Sequence, residues 1–102
     1  MNQQEAQQIA REYIQSILED VSMPIEILAD QSVEKPYGWI FFYQSKRYLD
    51  TGAIADMLVR NGPILVNKSG KVIHLPSAIP VDESIRRYEA GLPILPRPNA
   101  QT

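Results

Sequence analysis

Tyr37-Gly38-Trp39-Ile40-Phe41-Phe42-Tyr43-Gln44-Ser45-Lys46-Arg47-Tyr48-Leu49-Asp50-Thr51-Gly52 holds the one Trp, both Phe and three of the five Tyr of this 102-residue chain. In an extended segment successive side chains leave on opposite faces, so Trp39, Phe41 and Tyr43 share one side while Ile40 and Phe42 share the other. A strand that is apolar on both faces needs cover on both. The stretch therefore predicts a central strand from about Gly38 to Ser45 with an element packed on each side. Lys46-Arg47-Tyr48-Leu49 either continues that strand or bends away from it, and Thr51-Gly52 closes the unit.

Working upstream, Ile25 to Val33 reads as a strand whose alternation is imperfect at Glu26, Asp30 and Gln31. Glu34-Lys35-Pro36, followed by Tyr37-Gly38, supplies the turn that returns the chain to the aromatic strand. Downstream, Ala53 to Leu58 reads as a short helix with Thr51 as its cap and Asn61-Gly62-Pro63 as its stop. Ile64-Leu65-Val66 and Val72-Ile73-His74-Leu75 flank the polar Asn67-Lys68-Ser69-Gly70-Lys71, which predicts a β-hairpin.

Two longer helices frame these strands. From Asn2 to Asp20 the residues Ala6, Ile9, Ala10, Tyr13, Ile17 and Leu18 recur at steps of three and four, and Pro24 ends the pattern. From Pro80 to Gly91, proline and acids lead, basic residues follow and glycine closes, with Val81, Ile85 and Tyr88 on one stripe. The expected fold is α+β: a four-stranded, mainly antiparallel sheet packed against an N-terminal and a C-terminal helix, within one domain spanning residues 1–91. Residues 92–102, rich in proline, read as an extended or disordered tail.

Composition narrows the chemistry. With no Cys, disulfides, thiol catalysis and zinc-thiolate sites are excluded. Ten Lys and Arg against twelve Asp and Glu leave no basic block that could neutralise a row of phosphates, which disfavours nucleic acid as a partner. No apolar run approaches the roughly 20 residues of a membrane span. The amino-terminal Met-Asn-Gln-Gln-Glu-Ala-Gln-Gln leads into no apolar stretch, so no secretory signal is visible and a cytoplasmic setting is expected.

Candidate reactive groups are few. His74 is the single histidine, alternates with Val72 in a hairpin strand, and has no Gly-x-Ser-x-Gly nucleophile elbow to serve; it reads as a structural or surface residue. The adjacent acids Glu19-Asp20 and Asp82-Glu83 lie at helix ends, where the second pair suits a helix dipole better than a glycosidase. The five glycines are scattered and cradle no phosphate. No catalytic residue, metal or cofactor is implied. Lys46, Arg47 and Tyr48 form a basic and aromatic cluster that suits an anionic partner or, more plainly, a solvated strand end. The proline tail offers a docking peptide or simple disorder.

The Gly38-Trp39 aromatic strand runs into Tyr48-Leu49-Asp50-Thr51-Gly52, followed by Asn61-Gly62-Pro63-Ile64-Leu65-Val66-Asn67-Lys68, the Gly70 to Leu75 strand and Ile85-Arg86-Arg87-Tyr88-Glu89. This ordered set resembles the immunity protein 35 family, also called the YrhB domain, over about residues 5 to 90. The resemblance implies a non-enzymatic bacterial cytoplasmic protein that binds and neutralises a cognate toxin. A second branch of the family implies a small chaperone or stress-associated stabilising factor. Members often read Gly-Thr-Ala after the hairpin, where this chain has Pro76-Ser77-Ala78. Gly38, Trp39, Phe41, Leu49 and Gly52 then belong to the structural motif, and Lys46, Arg47, Tyr48 and Asp50 are the expected partner-binding residues. The chain is expected to be a monomer or homodimer.

Overall fold

The computed structural model describes residues 1–18, 24–58 and 61–94. Helix α1 (Gln3–Ile17) is followed by strands β1 (Ile25–Ile27), β2 (Val33–Lys35), β3 (Gly38–Phe41) and β4 (Tyr43–Ser45). Helix α2 (Lys46–Thr51), strands β5 (Ile64–Asn67) and β6 (Val72–His74) and helix α3 (Val81–Glu89) complete the order. The main sheet is antiparallel in the order β2-β3-β5-β6, and β1 and β4 form a second, two-stranded ladder.

Strand β3 is the central strand that the aromatic segment predicts, and all four of its residues are buried. On one side Trp39, Phe41 and Tyr43 join Ala6, Ala10 and Ile14 of α1 together with Ile25, Ile27, Ile64 and Val66. On the other, Ile40 joins Leu65, Leu75 and Ile85, with Phe42, Val81 and Tyr88 packed against them. The result is three layers, α1, sheet and α3. Each fully buried large apolar side chain contributes roughly 1.5–3 kcal/mol, so β3 alone anchors both interfaces.

Several boundaries differ from the sequence reading. Helix α1 starts at a capping box, in which Asn2 Oδ1 accepts from the Glu5 N–H at 2.8 Å and Glu5 Oε1 accepts from the Asn2 N–H at 2.9 Å. It ends at Ile17, with Leu18 extended. Its core stripe is Ala6, Ala10 and Ile14, while Ile17, in the last turn, is 42 % exposed. The expected continuation to Asp20 and the break at Val21-Ser22-Met23 lie outside the described residues.

Ile25 to Val33 is not one strand. A 3-10 turn at Ala29–Gln31 divides it, and the aromatic strand divides at Phe42 to match. Ile27 pairs with Tyr43 and Val33 with Ile40, so Leu28 to Ser32 stand opposite only Phe41 and Phe42. The three extra residues reverse the alternation. Ile25 and Ile27 pack toward α1, whereas Val33 packs toward α3, which no unbroken strand could do. A bond from Leu28 N–H to the Phe42 carbonyl, 2.8 Å, spans the break. Glu34 and Lys35, expected in the turn, belong to β2, and the connection is only Pro36-Tyr37. Lys46 to Thr51 bend away from the strand, as the second of the two readings has it, and do so as a helix; the helix expected at Ala53 to Leu58 is only a 3-10 turn at Ile54–Asp56. Of the proline tail, Leu92 is exposed and Ile94 packs on the α3-side core; from Leu95 onward it lies outside the described residues.

Polar contacts fasten α3 to the β2–β3 hairpin. Tyr37 donates its hydroxyl to Glu89 Oε2 at 2.7 Å, Lys35 Nζ lies 3.4 Å from the same carboxylate, and the Tyr37 and Tyr88 rings pack 5.0 Å apart. The Tyr37 hydrogen bond, with the charge of Lys35, holds the Glu89 carboxyl below its ordinary range. Burial first, then the bond to Glu89, pushes the Tyr37 phenol well up.

Two outcomes follow from this packing. A Cβ at Gly38 would stand 2.3 Å from the Val66 carbonyl oxygen and 2.6 Å from Asn67 Cα, both backbone atoms that cannot swing aside. Gly38→Ala is expected to lower stability by about 1–3 kcal/mol, read as a lower urea midpoint at unchanged slope. A depressed folded pKa at Glu89 gives stability that is present above the unfolded carboxylate pKa and is lost as pH falls through the folded value. Urea titrations at successive pH values from neutral downward should show that acid loss reduced in Glu89→Gln.

Candidate functional site

At the end of the aromatic strand the chain turns from sheet to helix on one hydroxyl. Ser45, the last residue of β4 and 1 % exposed, accepts the Tyr48 N–H on Oγ at 2.9 Å, which caps α2. Seven residues later Gly52 ends the helix at φ 71°, its N–H donating to the Tyr48 carbonyl at 2.7 Å.

The segment after α2 is fixed by side chains bonding to backbone. Thr51 Oγ1 donates to the Arg47 carbonyl at 2.9 Å and accepts the Ala53 N–H at 3.1 Å. Gln44 Oε1 accepts the N–H groups of Leu58 at 2.7 Å and Ser45 at 2.8 Å, while its Nε2 donates to the Leu58 carbonyl at 3.4 Å. Asn61 Nδ2 donates to the Tyr43 carbonyl at 2.8 Å. The exposed Arg47 lies 3.8 Å from the half-buried Asp56, a long pair at the surface that adds little. With polar side chains holding its backbone, the segment turns Leu58 to the α1-side core and leaves Ile54 outside, 79 % exposed, near Leu49 of α2 at 40 %. Leu49 and Ile54 sit on α2 and the 3-10 turn, two elements in contact with each other.

All four expected partner-binding residues lie on α2. Lys46, Arg47 and Asp50 are exposed and Tyr48 is half-buried. Of the motif residues, Gly38, Trp39 and Phe41 are buried in β3, Gly52 terminates α2, and Leu49 stands at the surface. Ile54 and Gln44 escaped the sequence reading. A glutamine next to a capping serine is the one signal that pointed to the clamp, and nothing local distinguishes an exposed isoleucine from a core one.

The reactive groups are dispersed. His74 is exposed, its Nδ1 3.2 Å from the Tyr13 hydroxyl and the two rings edge-on at 5.5 Å. Glu83, in the first turn of α3, pairs with Arg86 and, at 2.8 Å, with Arg87, and those hydrogen bonds hold its carboxyl below the usual range. Glu19 and Asp20 fall outside the described residues. Among the described residues no group of three or more His, Asp or Glu is placed to hold a metal ion. No described helix is long and apolar enough to cross a membrane.

Comparison with known proteins gives two matches. The pattern of the immunity protein 35 family fits residues 4–91. A protein of Escherichia coli strain K12 named YrhB, itself uncharacterized, is 32 % identical over 73 residues, which cover 71 % of this chain and 76 % of that protein. No solved structure matches.

The Gln44 clamp can be tested alone. Gln44→Ala leaves the Leu58 N–H without its acceptor, a change worth about 1–3 kcal/mol locally. Amide exchange at Leu58 should accelerate roughly ten- to a hundredfold while exchange in β3 and β5 stays as in the parent.

Proposed function

Because the chain belongs to the immunity protein 35 family, we propose that it is a non-enzymatic immunity protein that binds and neutralises a cognate bacterial toxin inside the cell, and that the α2 platform is the surface it uses. The observation that carries the placement is Ile54, a large apolar side chain 79 % exposed on a segment whose backbone is fixed by Gln44 and Thr51. Exposed apolar groups on a rigid base lose little conformational freedom on binding, which is the property of an interface anchor. Leu49 extends the apolar patch, and Lys46 and Asp50 lie on the same helix as exposed charges of opposite sign. Charges at a rim steer encounter and select the partner more than they add affinity.

Neutralisation by this route needs no bond to be made or broken. It needs a complex that outlives the toxin's chance to meet its target, so its measure is the dissociation rate.

The test is co-expression and titration with the toxin encoded beside this gene. Ile54→Asp should weaken binding by at least about tenfold, mainly through faster dissociation, with the melting temperature unchanged because the side chain is outside the core. Parental affinity in Ile54→Asp and Leu49→Asp would move the interface elsewhere on the molecule. Failure of the parent protein to bind or protect against that toxin would overturn the immunity reading itself.

A further inference from the structure

We propose that the open edge of β6 is a self-association surface, on which two copies of this chain pair antiparallel about a two-fold axis at Ile73 and join their sheets into one. The hydrogen-bond phase of the ladder identifies the groups concerned. Within the β5–β6 pair, Asn67 N–H donates to the Lys71 carbonyl at 3.0 Å and Leu75 N–H donates to the Pro63 carbonyl at 2.9 Å. Bonded and non-bonded pairs alternate in an antiparallel ladder, so Lys71, Ile73 and Leu75 turn their backbone groups toward β5. Val72 and His74 turn theirs away. Among the described residues no backbone group meets them.

The two outer strands of the sheet differ in how they face water. Strand β2 follows the 3-10 turn at Ala29–Gln31, ends at Pro36 and carries Glu34 and Lys35, all devices that stop a second strand from adding. Within Val72–His74 strand β6 carries no acid or lysine; Lys71 precedes it, and Pro76 comes only after Leu75. It consists of Val72, Ile73 and His74, with Val72 and Ile73 half-buried in the α1-side and α3-side cores.

The occupant follows from the symmetry of the edge. An antiparallel partner must offer N–H and C=O at two positions separated by one residue, and β6 offers that set. With the axis at Ile73, Val72 faces the second copy's His74 and exchanges two hydrogen bonds with it, and His74 does the same with the second copy's Val72. The two Ile73 side chains meet at the non-bonded position between, where side chains lie closest. Lys71 faces the second copy's Leu75, so the two lysines stand at opposite ends of the seam and no like charges oppose one another. On the α1 side, Met1 reaches Gly70 and Tyr13 reaches His74, so the groove along Met1, Glu5, Gln8, Ile9 and Glu12 lies open beside this edge.

The seam is tested by mass and by exchange. Sedimentation of the full chain should give twice the 11.6 kDa of one copy in concentrated samples and one copy on dilution. His74→Pro removes one outward N–H that no described residue accepts and should be monomeric at the same concentration; His74→Ala keeps that N–H and should still dimerise. As a check that does not depend on a variant folding, exchange of the Val72 and His74 amides should slow at least about tenfold from dilute to concentrated parent protein. A parent that stays monomeric throughout, or a dimer whose Val72 and His74 amides exchange at the dilute rate, overturns the proposal. Toxin binding by His74→Pro, measured alongside, reports on α2 and not on this edge.

Discussion

Because Trp39 and Phe41 leave β3 on one side while Ile40 leaves it on the other, that strand is stable only when α1 and α3 are both in place. Among the described residues α1 packs on one face of the sheet and α3 on the other. The consequence is cooperativity: removing either helix exposes a sheet face made of large aliphatic and aromatic side chains, which favours loss of the whole domain over a partly folded state. The polar tie from Tyr37 and Lys35 to Glu89 acts at the edge of this arrangement, fixing where α3 ends on the hairpin.

The central strand was legible because period-two alternation of large side chains is a strong signal and here runs without a fault from Trp39 to Tyr43. The same rule failed one strand away. In Ile25 to Val33 three apolar residues run together at Ile27-Leu28-Ala29 and three polar ones follow, so no single phase can be followed, and the three-residue insertion that reverses its faces is visible only once the pairing partners are known. Helix α2 was hidden for a related reason: Lys46 to Thr51 has no apolar stripe, and its formation depends on the buried Ser45 hydroxyl and on Gly52 at positive φ. A six-residue helix stabilised at its two ends has no periodicity to read.

The segment that carries the immunity protein 35 pattern has a buried half and an exposed half. Gly38, Trp39 and Phe41 are interior, and Gly38 tolerates no side chain because β5 passes directly over it. Lys46, Arg47, Asp50 and Ile54 are at the surface, with backbone support from Gln44, Ser45 and Thr51. The division occurs at Phe42 to Ser45, where the ladder changes partner and then gives way to helix.

The clamp made by Gln44 touches only the backbone of Leu58 and Ser45. Main-chain atoms are common to every amino acid, so the clamp specifies where the segment from Ala53 to Met57 lies while leaving its side chains unconstrained. A scaffold of this kind can exchange its outward residues in few mutational steps without refolding costs, and two lineages can diverge in what they recognise while keeping one architecture.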